Sequence, residues 1–228
     1  MTATIPSPAL TERSVGDIAA TLPGATAVFR RFRIDFCCHG DLDLGAAAQR
    51  RGVDVGELER ALAALDAGTA DAAAAPAAMD SARLIDHILS SYHEAHRHAL
   101  PELIALSRKV EAVHREHPRV PAGLWETLRR MAAELEEHMD REETALFPAL
   151  RDGAAGTLAP SIARLRAEHD NQGQLVELIE TMTDNFTPPE GACRSWQALY
   201  IGTARLVEDL MEHIHLENNV LFPRFAAA

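Results

Sequence analysis

Two stretches of the chain repeat one pattern of histidine, glutamate and proline. His138-x-x-x-Glu142-x-x-x-Leu-Phe-Pro recurs as His213-x-x-x-Glu217-x-x-x-Leu-Phe-Pro. Residues four apart in a helix lie on the same face, one turn apart, so each histidine and its glutamate can reach a common point. One such pair is commonly just an exposed ion pair, but imidazole and carboxylate are also ligand types that metals bind, and here the pair is duplicated. The pattern therefore predicts two similar halves of one metal site.

A single histidine precedes each copy of the pattern, and it shares a helical face with apolar residues. His93 is in line with Ile85 and Leu89, and His169 is in line with Leu165. One buried histidine is more often a hydrogen-bonded core residue than a metal ligand. Two buried carboxylates without partners, however, would cost much free energy, and a bound metal removes that cost. The duplicated register therefore favours a set of metal ligands over a purely structural bundle. The predicted ligands are His93, His138, Glu142, His169, His213 and Glu217.

The types and number of these ligands indicate which metal they bind. The set contains no thiolate, which argues against a structural zinc site. Six protein ligands are too many for one ion that keeps an open position, but they suit two ions bridged by both glutamates. Imidazole with carboxylate favours iron, with manganese as the nearest competitor. We therefore predict two non-haem iron ions, bridged by the carboxylates and by an oxo or hydroxo group.

Four further residues are candidates for supporting this site. His96 is placed one turn after the first histidine, but the duplicated half has Gln172 there, which favours a supporting or core role over a fifth imidazole ligand. Glu134 and Asp209 each precede a predicted histidine ligand by one turn, so both could orient an imidazole or simply form a solvated helix edge. Glu168 is predicted to line a path to the metals.

The elements that must position these residues are four long segments of helical periodicity. The first runs from Asp80 to about Glu116 and the second from Pro121 to Pro148. The third starts near Pro160 and ends before Thr187, and the fourth starts near Ala192 and stops at Pro223. Proline falls mainly at their boundaries, where its missing N–H does least harm. The predicted fold is all-α, an up-down four-helix bundle over residues 80–228. A small helical N-terminal domain (1–66) and an alanine-rich linker (67–79) precede it.

Composition narrows the functional classes. The formal net charge is −12, so a phosphate backbone or an anionic membrane surface is an unfavourable partner. No run approaches the ~20 apolar residues needed to cross a bilayer, and the first residues lack the pattern of a secretory signal. Three cysteines make no disulfide framework. We predict a cytoplasmic protein that binds neither nucleic acid nor membrane.

Two adjacent cysteines lie in a glycine-bounded turn of the N-terminal domain. Cys37 and Cys38 are followed by His39, and a nearby imidazolium lowers the pKa of a thiol. The residues alone leave two interpretations open, a reactive thiol site or two small buried side chains.

The chain resembles a known family over nearly its whole length. The similarity is carried by Asp35-Phe-Cys-Cys, Leu100-Pro-Glu-Leu, Thr187-Pro-Pro and Leu216-Glu-Asn-Asn-Val-Leu-Phe-Pro. Residues 80–228 resemble hemerythrin-like domains, and the whole chain is similar to the repair-of-iron-centres family. One departure is His39, which stands where that family usually has glycine.

The resemblance implies a di-iron protein of the stress response. Its expected function is repair of iron–sulfur clusters damaged by nitric oxide or oxidants, through iron donation or nitric oxide chemistry, with the same six ligands. It also implies that Cys37 and Cys38 form a redox or metal relay. Iron–sulfur proteins are the expected clients, and nitric oxide or oxygen the expected small molecules. Whether the chain is an enzyme, and whether it forms a homodimer, stays open.

A second function within the same resemblance is an oxygen- or nitric-oxide-binding sensor or carrier of the hemerythrin type. Such proteins typically have a fifth histidine ligand, for which His96 is the candidate.

Overall fold

The computed structural model describes residues 9–65, 76–153 and 158–226, and these residues are helical apart from turns and one isolated bridge between Ser14 and Asp43. Most of the predicted linker (67–79) lies outside the described residues, since 67–75 are not among them. The contacts divide the chain into two compact units. The first contains Met1–Asp80 with Ile214–Arg224, and the second contains Ser81–His213 with Phe225–Ala228. The predicted all-α fold is confirmed.

The first unit begins with four short helices. These are α1 (Val15–Thr21), α2 (Ala25–Phe32), α3 (Leu44–Arg51) and α4 (Val55–Ala63). Side-chain oxygens of Ser14, Asp43 and Asp54 accept hydrogen bonds from first-turn amides of α1, α3 and α4. Such caps satisfy amides that have no partner within a helix. Because the helices are short, these caps and a small apolar core that includes Phe29 and Leu58 hold them in place.

A late segment of the chain completes the first unit. It contains a π-helical turn, π3 (Leu216–Leu221), and the short helix α11 (Pro223–Ala226). The side-chain amide of Asn219 donates to the carbonyl of Phe36, and that of Asn218 donates to the carbonyl of Cys37. A Cβ added at Gly40 would lie 2.2 Å from Oδ1 of Asn219, so only glycine permits this approach.

The second unit contains the long helices. The first is α5 (Ser81–Ile88), π1 (Leu89–His93) and α6 (Glu94–Val113), and the second is α7 (Leu124–Arg141), π2 (Glu142–Leu146) and α8 (Phe147–Arg151). The third is α9 (Ala159–Met182), and the fourth is α10 (Arg194–His215), which continues directly into π3. Helix α7 packs against both α6 and α9. Among the described residues, no helix has the length and apolar character that a membrane span requires.

Three of the four long helices contain a π-helical turn, and each turn includes a predicted metal ligand. His93 ends π1, Glu142 begins π2, and Glu217 lies in π3. A π turn carries one more residue than an α turn, and such turns occur frequently at functional sites. His169 is the ligand candidate on α9, which is α-helical throughout.

Candidate metal centre

All six predicted ligands are buried, with at most 1% of each residue exposed to solvent. They form two groups in which one ligand atom per residue lies within 4.8 Å of the others. The first group is His93, Glu142, His213 and Glu217, and the second is His138, Glu142, His169 and Glu217. The two groups share both glutamates, which suggests a dimetal centre.

The distances within each group fit a shared metal ion. Nε2 of His93 lies 3.1 Å from Nε2 of His213, and Nε2 of His138 lies 3.0 Å from Nε2 of His169. Two imidazole nitrogens bound at right angles to one ion, each at ~2.1 Å, would be about 3.0 Å apart. Each pair therefore has the spacing of neighbouring ligands on a single ion.

Glu142 gives the clearest sign that a cation belongs here. Its side chain is fully buried, and neither carboxylate oxygen accepts a hydrogen bond within the described parts of the chain. Oε2 lies 3.5 Å from Nε2 of His93 and 3.3 Å from Nε2 of His138. A buried carboxylate without donors costs several kcal/mol unless a cation offsets its charge. The donor set present therefore fits two ions bridged by this carboxylate.

Two carboxylates outside the groups hold imidazole rings by their other nitrogen. Oε1 of Glu143 lies 2.8 Å from Nδ1 of His93, and Oε2 of Glu168 lies 3.0 Å from Nδ1 of His138. Carboxylates in this position fix the ring orientation and leave Nε2 available to a metal. Glu168 therefore orients a ring rather than only lining a path, whereas no pattern in the sequence pointed to Glu143.

Arginines anchor both of these carboxylates. Arg97 donates to Glu143 at 2.7 Å, and Arg141 donates to Glu168 at 3.0 Å. Partial burial alone would raise the pKa of Glu143, but hydrogen bonds from Arg97 and His93 outweigh it and hold the pKa below its usual value. Glu143 is therefore a charged acceptor at neutral pH, and its partner nitrogen on His93 is the donor.

The two carboxylates predicted one turn before a ligand have solvent-side partners. Glu134 is 37% exposed and accepts from Arg130 at 2.7 Å, so of the two interpretations that the sequence left open, the structure favours a solvated helix edge over an orienting role for His138. The reason is that Glu168, on a neighbouring helix, already occupies Nδ1 of that ring. Asp209 is also 37% exposed and lies 3.8 Å from Arg205.

The Arg97–Glu143 pair gives a prediction about metal retention. Replacing Glu143 by glutamine, or Arg97 by alanine, should lower metal affinity about 10- to 100-fold, because the His93 ring loses its fixed orientation. Competition with a coloured chelator measures the affinity. Arg130→Ala removes an arginine whose partner, Glu134, is on the solvent side and should leave affinity unchanged. Equal affinity in all variants would contradict this role.

Aromatic rings and one further histidine surround the first group. The ring of Tyr92 stacks on that of His213 at 5.7 Å, and the ring of Phe147 stacks on that of His93 at 5.9 Å. His96 is buried but belongs to neither group, and its ring centroid lies 5.4 Å from that of His213. This placement favours packing against a ligand, the role that the sequence favoured.

The adjacent cysteines form a separate cluster with an aspartate. Oδ1 of Asp35 accepts from the backbone amide of Cys38 at 2.9 Å and lies 3.4 Å from Sγ of Cys37. The two Sγ atoms are 3.8 Å apart, too far for a disulfide. The ring of His39 is held by the other carboxylate oxygen, with Nδ1 lying 2.5 Å from Oδ2 of Asp35.

The expected effect of His39 on the thiols is wrong for Cys37. The neighbouring Cys38 thiol and burial are the main causes that raise the pKa of Cys37 well above its usual value, and Asp35 raises it further. Burial alone would also raise the pKa of Asp35, but hydrogen bonds from His39 and from the Cys38 amide hold it below its usual value. His39 therefore stabilises a carboxylate rather than a thiolate.

A raised pKa predicts slow alkylation of Cys37. Only the thiolate reacts, and a higher pKa leaves less thiolate at neutral pH. Iodoacetamide should therefore modify Cys37 more slowly than the exposed Cys193, and the rate at Cys37 should rise as the solution becomes alkaline. Mass spectrometry of the labelled peptides measures both rates. Faster labelling of Cys37 than of Cys193 at neutral pH, or slower labelling of Cys37 after His39→Gly, would contradict the assignment.

Comparison with known proteins gives two family matches. Residues 84–225 match the hemerythrin HHE cation binding domain, and residues 11–66 match a domain of unknown function, DUF542. The chain is 45% identical to the iron-sulfur cluster repair protein YtfE of Musicola paradisiaca, over 93% of this chain and 96% of that protein. It is 44% identical to YtfE of Cronobacter sakazakii, over 96% and 98% of the two chains. It is 42% identical to a probable iron-sulfur cluster repair protein of Haemophilus influenzae, over 93% and 96%.

Proposed function

The chain belongs to the family of iron-sulfur cluster repair proteins with a hemerythrin HHE domain, and from that premise we propose that it repairs damaged iron–sulfur clusters with two irons held in its helical bundle. The relatives are named for this activity, and the chain matches them over almost their whole lengths. The proposed ligands are the six predicted ones, and both glutamates bridge. Iron–sulfur proteins are the proposed clients.

One observation carries the proposal, the buried carboxylate of Glu142 at the junction of two histidine pairs. It has no hydrogen-bond donor among the described residues, yet it lies within 3.5 Å of an imidazole nitrogen from each group. A structural bundle with satisfied core histidines would leave this charge without compensation. Two cations bridged by Glu142 supply the compensation.

The choice of iron over other divalent metals follows from the ligands. Each group offers two imidazoles and two shared carboxylates, a mixed nitrogen and oxygen set without thiolate. With four protein ligands for each ion, these residues would leave room for an oxo or hydroxo group and for a small molecule such as nitric oxide or oxygen. When bound, iron of this kind supplies a site for such molecules and a store of ferrous iron.

The protein's own residues account for retention and release. Glu143 and Glu168 fix two of the four imidazoles through Nδ1, and both carboxylates are partly exposed to solvent. The other two imidazoles are those of His169 and His213. We propose that iron is the cargo of the reaction, that the six residues would hold it, and that ligands of a client would take it by displacing the shared carboxylates. Repair then consists of returning ferrous iron to an incomplete cluster.

The test is transfer of iron to a client under anaerobic conditions. Protein loaded anaerobically with ferrous ⁵⁷Fe, so that no reductant is needed, is mixed with an iron–sulfur protein that lacks its cluster, together with sulfide and a ferrous chelator that captures free iron. We expect ⁵⁷Fe in the rebuilt cluster, seen by Mössbauer spectroscopy. The matched control is ferrous salt of equal concentration, which the chelator should intercept. Equal rebuilding from the salt would contradict directed donation.

The competing function is that of an oxygen or nitric oxide sensor or carrier of the hemerythrin type. It is favoured only if His96 is a fifth histidine ligand, but His96 belongs to neither group. His96→Ala should therefore leave the iron content and the spectrum of the iron centre unchanged. A variant that loses one iron, or that loses reversible oxygen binding, would favour the carrier.

A further inference from the structure

A second cluster of metal-ligating side chains lies in the first unit, apart from the six ligand residues. It consists of Asp35, Cys37 and Cys38, each of which offers an atom within 4.8 Å of the others. DUF542 is a domain of unknown function, and the names of the relatives refer to iron-sulfur clusters rather than to a metal held by these residues. Its thiolates are soft ligands, unlike the imidazoles and carboxylates of the helical bundle.

The distances in this cluster match those around a small tetrahedral ion. Thiolate sulfurs at ~2.3 Å from one zinc-sized ion would be about 3.8 Å apart, and a sulfur and a carboxylate oxygen about 3.5 Å apart. The two Sγ atoms are 3.8 Å apart, and Sγ of Cys37 lies 3.4 Å from Oδ1 of Asp35. Taken singly, the Sγ–Sγ distance or the Sγ–Oδ1 distance could also reflect a hydrogen bond donated by a thiol. Two sides of the cluster thus have the lengths that one ion requires together, and the ligand atoms of Asp35 and Cys38 lie within 4.8 Å of each other.

The cluster is held in place before any ion binds. The carbonyl of Cys37 accepts hydrogen bonds from the side-chain amides of Asn218 and Asn219. On the other side of the turn, the amide of Gly16 donates to the carbonyl of Gly40 at 2.8 Å. A turn fixed at both ends does not need to reorganise around a ligand, which favours affinity.

His39 completes the arrangement from outside the cluster. Its Nδ1 lies 2.5 Å from Oδ2 of Asp35 and so fixes the carboxylate, whose Oδ1 points towards the thiols. A hydrogen-bonded partner of this kind orients a ligating group and tunes its affinity. The side chains of Asp35 and His39 are 44% and 39% exposed, so an ion can reach the cluster from solvent.

We propose that Asp35, Cys37 and Cys38 bind one thiophilic divalent transition-metal ion, with His39 as a positioning residue and a fourth coordination position open to solvent. Each thiol gives its proton to the solvent when it binds the ion. Three protein ligands with one open position are the arrangement of a site that exchanges its ion or accepts a further ligand, unlike a closed structural site. This site is distinct from the di-iron centre, and its existence does not depend on repair activity.

The probe is zinc, added to full-length protein whose di-iron centre is already loaded. We expect one zinc ion per chain in addition to the iron, and zinc-edge X-ray absorption should show two sulfur ligands at about 2.3 Å. The double variant Cys37→Ser, Cys38→Ser should abolish zinc binding. The single variant Cys38→Ser should also abolish it, and this variant leaves the buried Cys37 side chain unchanged. His39→Gly should lower the affinity for zinc about 10- to 100-fold, because the carboxylate of Asp35 loses the ring that orients it. Asp35→Asn should lower the affinity further, because it replaces a ligand, although its side-chain oxygen can still accept from the Cys38 amide. Cys193→Ser is the matched control and should change nothing.

Three results would overturn the proposal. The first is zinc binding that is equal in wild type and in the double-cysteine variant. The second is bound zinc with fewer than two sulfur ligands. The third is zinc that enters only by displacing iron. Iron content and circular dichroism of every variant show that the protein has folded, and cluster repair is not a readout. Failure here therefore leaves the proposed repair function standing, and failure of repair leaves this site standing.

Discussion

Replacing Glu142 by alanine is expected to remove most of the iron from the protein. The carboxylate belongs to both groups of ligands, so its loss takes one ligand from each ion at once. Glu142→Gln should have nearly the same effect, because the amide keeps the shape but loses the negative charge that offsets two cations. Iron analysis with Mössbauer spectroscopy of freshly purified protein measures the result. Glu217→Ala should lose iron to a similar extent, because Glu217 also belongs to both groups.

The control for this experiment is Glu134→Ala, which removes a carboxylate paired with Arg130 on the solvent side of α7. It should retain its full iron content. If the Glu142 and Glu217 variants also kept two irons with unchanged spectra, the glutamates would not be ligands. The bimetallic assignment would then be wrong.

The second large effect is expected from the adjacent cysteines. A Cys37→Ala, Cys38→Ala double variant should retain its iron and its oxo-to-iron absorption, because neither sulfur belongs to the two histidine groups. It should nevertheless lose activity towards damaged clusters, or lose association with a client, if the thiols relay iron or electrons. Cluster rebuilding and ultraviolet–visible spectra of the same sample separate the two properties.

Cys193→Ala serves as the matched control, since this thiol lies at the start of the fourth helix and is exposed. Its iron content and its repair activity should equal those of the wild type. Full repair activity in the double-cysteine variant would show that the Cys-Cys turn is only packing. The function would then rest on the helical bundle alone.

The six ligand candidates were predictable because their spacing is a property of single helices. His138 with Glu142, and His213 with Glu217, are four residues apart, and each lone histidine falls on an apolar face. The approximate positions of the four long helices were predictable for a similar reason, since proline and capping residues mark their ends. Periodicity within one helix is information that the sequence carries directly.

The supporting carboxylates were harder to predict because they come from other helices. Glu168 on α9 reaches His138 on α7, and Glu143 reaches His93 from the second long helix. Their partners are set by the rotation of packed helices, which no spacing along one helix reveals. For this reason the sequence could not decide between the two interpretations of Glu134. The π-helical turns were also not predicted, because one extra residue in a turn leaves no distinct periodic pattern.

The support of the Cys-Cys turn also sets an order of events during synthesis. The carbonyl of Cys37 and the side chain of Asn218, which donates to it, are 181 residues apart along the chain. A ribosome that adds roughly 5–20 residues per second needs about 10 to 35 s to cover that distance. Throughout this interval the turn lacks the asparagine amides that hold it. The earliest helices to emerge from the ribosome are therefore among the last to complete their tertiary structure.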